Sequence, residues 1–549
     1  MKTIQVDMFA VGNGAAVLIQ FALEDGSLVT VLADGGMGYK HRADGVRKSL
    51  ADAFNGFRAG RLRRIDLLIG THYDGDHLKG LVPIVQDESI EIGEVWLPPL
   101  KNDTEEILGA TDADDFLAEQ LFDDQSHAVL LRYLVDKGRQ VDELQRLEQR
   151  AVESAREMPR GEMESGPVAL PGYSDERRNS EHLALARHAI SVDAPLHERV
   201  EAFLAFFEAH EADAATRTGR QRAHESATYD SRYPDAVDLA RQYRQRFRYA
   251  SRPFDIESYR DQPDRLRIAP AALASIRQSI AAGAITVSHL SKLVDALRNR
   301  TPPIRPRCIF VTTGHPRRFV WAPGRRRFIG RNRGGESDVT LTVLGPSEQL
   351  IEKHREKLPV GAYLLALMHQ DEPIHQENIS ASNQLSYIFT MEMAGQRLLI
   401  SGDAGCYGFK DDGQQYYSDL LKPLAPLHVV QVAHHAGHNY DFYEALLTAG
   451  FAQQETPAFL LLSHATLDDK RPSRAFAKFV AGLRRERDSI SLLFTGMPDL
   501  DKVEDYVELI HAVVPDGSDA EEGDIRMAYE ADAHPNWTVE RHAVVVGRR

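Results

Sequence analysis

Histidine and aspartate are densest in Thr71-His72-Tyr73-Asp74-Gly75-Asp76-His77, where four potential metal ligands fall within six residues. The segment follows the apolar run Ile65-Asp66-Leu67-Leu68-Ile69-Gly70, which reads as a buried parallel strand ending in glycine. The carboxyl end of such a strand is where open α/β sheets bind their ligands. Imidazole nitrogens mixed with carboxylate oxygens suit a divalent ion that activates water. A lone Asp-His pair is ordinarily structural. This density, repeated downstream, points to metal chemistry.

The downstream partners also stand at the ends of strand-like runs. Arg397-Leu398-Leu399-Ile400 leads to Ser401-Gly402-Asp403, and His428-Val429-Val430-Gln431-Val432-Ala433 leads to His434-His435-Ala436-Gly437-His438. Asn383 and Ser386 precede the run Tyr387-Ile388-Phe389-Thr390-Met391. Phe459-Leu460-Leu461-Leu462 ends at Ser463-His464, with Lys470-Arg471-Pro472-Ser473 just beyond. Cys406 reads as a small buried residue.

On these motifs the chain resembles the metallo-β-lactamase-fold hydrolases, whose usual first motif is His-x-His-x-Asp-His. More narrowly it is similar to the β-lactamase-like domain of competence DNA-uptake proteins, where the second His is Asp, as Asp74 is here. The likeness covers about residues 1–100 and 305–500. It implies an αββα sandwich and two divalent ions, Mn2+ or Zn2+. His72, Asp74 and Asp403 are then expected to hold one ion, and Asp76, His77, His434 and Asp403 the other, with Asp403 bridging. Asp76 is expected also to orient the attacking water, and His435 or His438 to act as general acid or phosphate contact. Asn383 stands where the competence-type domains place Asn-x-x-Ser, and three roles stay open for it: weak oxygen ligand, substrate contact or turn cap. Arg471 replaces a family His and is a candidate substrate contact.

The elements that must position these residues follow from the pattern. Residues 3–9, 16–21 and 28–33 alternate as strands separated by Gly12-Asn13-Gly14 and Glu24-Asp25-Gly26, and Asp34-Gly35-Gly36 closes the third. Gly12-Asn13-Gly14 reads as a tight turn rather than a phosphate cradle. A helix over Val46–Phe57, a helix beginning at Leu78 and a strand over 92–97 complete the first part, residues 1–100. Residues 101–304 shift to Arg, Glu, Gln and Ala, with amphipathic stretches at 125–157, 194–216, 235–249, 270–284 and 287–300 and a loop at 158–180. This is a mostly helical insertion and a candidate surface for a protein partner. The pair around Gly283 has the form of a helix-turn-helix, a common arrangement that seldom reads DNA. The second part, 305–549, resumes with strand signals at 308–313 and 339–344. Between them a basic loop places seven arginines, Arg317 to Arg333, within 17 residues.

At 549 residues the chain exceeds one ordinary compact unit, and 43% hydrophobic content supports a sizeable core. A net charge of −16 argues against a globally basic nucleic-acid binder. Two cysteines, Cys308 and Cys406, form no disulfide framework and fit a reducing cytosol. The start Met1-Lys2-Thr3-Ile4-Gln5-Val6-Asp7 lacks a signal peptide's apolar core, and no run of 18 apolar residues occurs, so a cytoplasmic protein without a membrane span is expected. The leading expectation is a phosphodiesterase or nuclease acting on nucleic acid or nucleotides, with Arg325, Arg326 and Arg327 contacting the polyanion. A hydrolase of thioesters, lactones or phosphonates is the alternative enzyme. A degenerate, non-catalytic binder of a protein partner is the alternative from another class.

Overall fold

The computed structural model describes residues 2–12, 14–37, 43–57, 63–100, 117–122, 126–157, 196–225, 270–330, 338–355, 381–437, 439–466, 468, 471–487, 489–499, 501, 503–513, 522–532, 534–541 and 543–545. Among them the chain is mixed α/β, with two mixed sheets and helices. The first sheet takes β1 (Thr3–Met8), β2 (Val17–Ala22), β3 (Leu28–Ala33), β4 (Arg64–Ile69) and β5 (Glu91–Trp96). The second takes β6 (Arg317–Ala322), β7 (Arg327–Gly330), β8 (Thr340–Gly345), β9 (Ile388–Met393), β10 (Gln396–Ile400), β11 (Val429–Gln431), β12 (Ala458–Leu462), β13 (Ile490–Phe494) and β14 (Ile510–Val513). Of the last three strands, β15 (Ile525–Glu530) and β16 (His534–Arg541) return to the first sheet and β17 (Ala543–Val545) joins the second. The orders are β16-β15-β1-β2-β3-β4-β5 and β17-β14-β13-β12-β11-β10-β9-β8-β6-β7. The first sheet is thus sewn from both ends of the sequence.

Alternation decides how the sheets meet. Ile4, Val6 and Met8, and Val17, Ile19 and Phe21, fall at the strand period of two and share one buried cluster with Phe389, Met391, Met393, Leu398 and Ile400. Each sheet therefore turns one face to the other. The opposite face of the first sheet, with Leu18 and Leu32, packs on Leu50 and Ala53 of α1 (Ala43–Phe57) and, past the short helix α2 (Gly75–Leu78), on Leu81 and Ile84 of α3 (Leu81–Gln86). Behind the second sheet, Leu399, Val430 and Leu460 cluster with Phe442 and Leu446 of helix Tyr440–Thr448 and with Phe476 and Val480 of helix Arg474–Glu486. Each such leucine, isoleucine, valine or phenylalanine contributes about 1.5–3 kcal/mol on burial.

In the insertion the described helices are α4 (Leu117–Phe122), α5 (Ser126–Glu157), α6 (Leu196–Glu225) and α7 (Pro270–Arg298). Leu290, Leu293, Val294 and Leu297 of α7 share a cluster with Leu81, Ile84 and Val85, so the insertion roofs the first sheet's helices. The expected pair around Gly283 is one continuous helix instead. A mid-helix glycine costs about 1 kcal/mol, and the packing of α7 against α5 and α6 outweighs it. The segment Ile280–Arg298 reaches the length and mean hydropathy, 1.3, of a membrane span, yet 61% of it is buried. Its apolarity faces this core. The expected loop at 158–180 and helix at 235–249 lie outside the described residues.

Two further expectations change. Residues 308–313 make one isolated bridge, Val311 to Ser347, because Ile309 N donates to the Tyr387 hydroxyl and Val311 N to the Pro346 carbonyl. The basic loop is a hairpin, β6–β7, turning at Pro323–Arg326. Phe319, Trp321 and Phe328 point inward beneath its arginines.

Candidate metal centre

Parallel pairing sends several strand ends to one place. β3, β4 and β5 run parallel, as do β10, β11 and β12. The carboxyl ends of β3, β4, β10, β11 and β12 carry Asp34, His72 to His77, Asp403, His434 to His435 and Ser463. Tyr387 N donates to the Thr71 carbonyl at 2.7 Å, tying the start of β9 to the β4 motif. Glycines permit the close approach. A Cβ on Gly80 would stand 1.7 Å from the Gly35 carbonyl oxygen, and one on Gly14 2.0 Å from the Asp76 carbonyl oxygen. The Ser463 hydroxyl donates to the carbonyls of Gly12 and Gly14, holding that turn against the motif.

Three imidazoles and two carboxylates converge there. His77 Nε2 lies 3.3 Å from His435 Nε2, 3.5 Å from Asp403 Oδ1 and 4.0 Å from Asp76 Oδ2. His435 Nε2 lies 3.7 Å from Asp76 Oδ2 and 3.8 Å from Asp403 Oδ1, while His72 Nε2 is 3.6 Å from Asp403 Oδ2. Ligand atoms within 4.8 Å of one another occur in the sets His72-Asp74-Asp76, Asp76-His77-His435 and Asp34-His72-His77. In the last set, Asp34 is already committed: one oxygen accepts from Thr71 N at 2.6 Å, the other from Thr71 Oγ1 at 2.6 Å and from His77 Nδ1 at 2.8 Å. That bond leaves Nε2 as the His77 atom facing the centre, the arrangement that orients metal-binding histidines.

The charges favour a cation. Burial works against a proton on His77, but Asp403, Asp34 and Asp76 outweigh it and lift the imidazole to about 10. Burial and the neighbouring His77 push His72 down to about 4. Asp76 and Asp403 stay below the usual carboxylate range despite burial, Asp76 through His77 and His435, Asp403 through His77, His72 and His435. His72 Nε2 and Asp403 Oδ1 are buried without a hydrogen-bond partner, and such orphaned atoms are costly unless something satisfies them. His and Asp groups fitting one or more divalent ions are therefore assembled here.

No protein-family model and no curated protein matches the chain.

All the expected residues but His438 now have a position. His72, Asp74, Asp76, His77 and Asp403 come together. His435, rather than His434, joins Asp76 and His77. The cause is backbone: His434, His435 and Ala436 are three successive left-handed residues, with φ of 51°, 52° and 62°, which turn the second ring inward. His434 stays half-buried with its pKa lowered, chiefly by burial. His438 lies outside the described residues. Asn383 Nδ2 donates to Asp403 Oδ2 at 3.4 Å, so it steadies the carboxylate. Arg471 pairs with Asp468 at 3.4 Å, and its charge helps depress His434. Arg325, Arg326 and Arg327 are not at the centre. In the antiparallel order β10-β9-β8-β6, the turn after β6 falls at the end opposite Asp403, where Arg326 pairs with Asp66 at 3.1 Å.

Two contributors escaped sequence reasoning. Asp34 was visible only as a strand-closing turn residue. A polar residue at the end of a strand parallel to the ligand-bearing one is the signal that finds it. Asn439, fully buried, donates to the carbonyls of Asp403 and Ala404 at 3.1 Å and caps helix Tyr440–Thr448 by accepting from Phe442 N. Its sequence context carries no comparable signal.

Proposed function

We propose that the chain is a metallo-β-lactamase-fold hydrolase, its facing sheets and outer helices an αββα sandwich, acting on phosphodiesters of nucleic acid or nucleotides. The observation that carries this reading is the convergence of His72, His77, His435, Asp76 and Asp403 from strand ends of both sheets, with two of their buried polar atoms unsatisfied. Divalent ions held there would supply Lewis acidity toward a phosphoryl oxygen and a water of lowered pKa. His72, Asp74 and Asp76 are the residues for one ion; His77, His435 and Asp76 are those for the other, with Asp403 reaching both.

The chain's own groups do the positioning. Asp34 fixes the His77 ring through Nδ1. Asn383 steadies Asp403 through its side chain, and Asn439 steadies it through its backbone. Asp76, the more exposed carboxylate at 27% against 5% for Asp403, is the one able to orient an attacking water by accepting its hydrogen bond. His434, with its pKa lowered and Arg471 nearby, stands beside the centre as a neutral imidazole able to contact a phosphoryl oxygen. The fold alone does not choose between phosphodiesters and thioesters or lactones.

The test uses purified protein with Mn2+ and a panel of single-stranded DNA, duplex DNA, RNA, cyclic dinucleotides, a thioester and a lactone. Phosphodiester cleavage that disappears in Asp76→Ala and His77→Ala, both still folded by circular dichroism, is expected. Full activity in either variant, or cleavage confined to the thioester or lactone, refutes the reading.

A further inference from the structure

Arg307, Arg317, Arg318, Arg325 and Arg327 line one cleft of about 550 Å³, floored by Phe319 and Phe328. It lies where the open edges of the two sheets meet. Arg307 bridges to Trp96 at the β5 edge, and β6–β7 forms the edge of the second sheet. The Trp96 and Phe319 rings, 5.0 Å apart, join the two.

The arginines divide into two kinds. Arg307 and Arg326 are neutralised by carboxylates of the first sheet, Glu94 at 2.7 Å and Asp66 at 3.1 Å. They hold the hairpin in place. Arg318, Arg325 and Arg327 are exposed and have no carboxylate partner among the described residues, and Arg317 only stacks over Phe319 at 5.2 Å. Four guanidiniums without a carboxylate partner among the described residues, gathered in one cleft of a chain with net charge −16, raise a local positive potential that favours an anion. From Arg317 along β6 to the turn holding Arg325 is about 20 Å at strand rise, the reach of several consecutive phosphates and too long for one. Guanidinium forks match phosphate oxygens two at a time. The Arg317 end lies toward the metal centre and the turn away from it.

We propose that this cleft is a rail for the phosphodiester backbone of a nucleic-acid strand, remote from the hydrolytic centre and blind to base sequence. The proposal deepens the phosphodiester reading and rests on it for the choice of ligand. The same arginines could instead guard an edge strand by charge against pairing with another chain.

The experiment measures binding of a fluorescein-labelled 20-nucleotide oligothymidylate by the full chain, by anisotropy, in chelator and at several salt concentrations. Four variants are compared with the natural chain. Two are the half-site changes Arg317→Gln with Arg318→Gln, and Arg325→Gln with Arg327→Gln. The third combines them, and the fourth, a charge-matched control, carries Gln at Lys48, Arg474, Lys478 and Arg485. Arg307 and Arg326 are kept so that the hairpin stays anchored. At about 0.7 per phosphate contact on single strands, the fourfold change is expected to flatten the log–log salt slope by about 3 and each half-site change by about half that. The control is expected to change the slope by less than 1. No binding by the natural chain, an unchanged slope in the fourfold variant, an equal loss in the control, or equal competition by polyglutamate of matched charge overturns the proposal. Self-association of the fourfold variant with binding intact establishes the guarded edge instead. Wild-type turnover of bis-p-nitrophenyl phosphate with Mn2+, measured separately, tests the hydrolytic reading alone.

Discussion

Asp34 gives both carboxylate oxygens to its neighbours, one to the Thr71 backbone and the other to Thr71 Oγ1 and His77 Nδ1. It thereby sets the ring that faces Asp403 and Asp76 without needing to be a ligand. Asp34→Asn keeps the size but loses the anionic acceptor, and metal affinity is expected to fall about 10–100-fold. Competition with a chromophoric chelator measures this, and unchanged affinity removes Asp34 from the centre. The donor set also predicts a metal preference. Asp74, Asp76 and Asp403 make it rich in oxygen, which suits Mn2+ better than a histidine-dominated site does. Turnover should be higher with Mn2+ than with Zn2+, and maximal turnover with two tightly held Zn2+ ions contradicts that. The candidate ligand residues were legible because each follows an apolar run that reads as a buried strand. The choice between His434 and His435 was not, since a run of left-handed non-glycine residues leaves no mark in the sequence.

At the scale of elements, close backbone contact holds β3 to the turn between α3 and the short helix Gly75–Leu78. Gly80→Ala puts a methyl into the Gly35 carbonyl and should destabilise by about 3 kcal/mol, the upper range for overpacking; urea denaturation of metal-free protein checks it. Helix α7 supplies a pH signature. Burial, then Lys79 and Lys292, depress His289 to about 4. Between that value and the unfolded pKa near 6.5, the unfolded chain binds the extra proton, so stability falls as pH drops through this window. His289→Gln should remove a slope worth about 3 kcal/mol in all. If the pH dependence of wild type and variant superimpose between pH 6.5 and 4, that assignment fails. Helical character was readable from the amphipathic period, though the continuity of α7 through Gly283 was not, and neither was the arginine hairpin. Its inward residues, Phe319, Trp321 and Phe328, are outnumbered by charge and read as a loop.

On the scale of the whole molecule, the insertion has a closed neck and a buried roof. Arg307 exchanges backbone bonds with Val95 and Leu97 at 2.8 and 3.0 Å, so the chain returns beside the strand it left. Geometry would allow residues 101–304 to be replaced by a short linker. Packing does not: removing α7 strips Leu290, Leu293 and Leu297 from Leu81, Ile84 and Val85. The shortened chain is therefore expected to bind a hydrophobic dye and lose cooperative unfolding, and a sharp thermal transition would show that the roof is dispensable. The pairing of β1 with β15, including the buried partners Asp7 and Arg526, sets a timetable as well. When Met8 emerges during synthesis, its partner Ile525 is still roughly half a minute to two minutes away at ~5–20 residues per second. Through that interval β1 offers an unpaired edge beside β2. Its inward-facing Asp7, which any wrongly added strand would have to bury unpaired, discourages such pairing until Arg526 arrives.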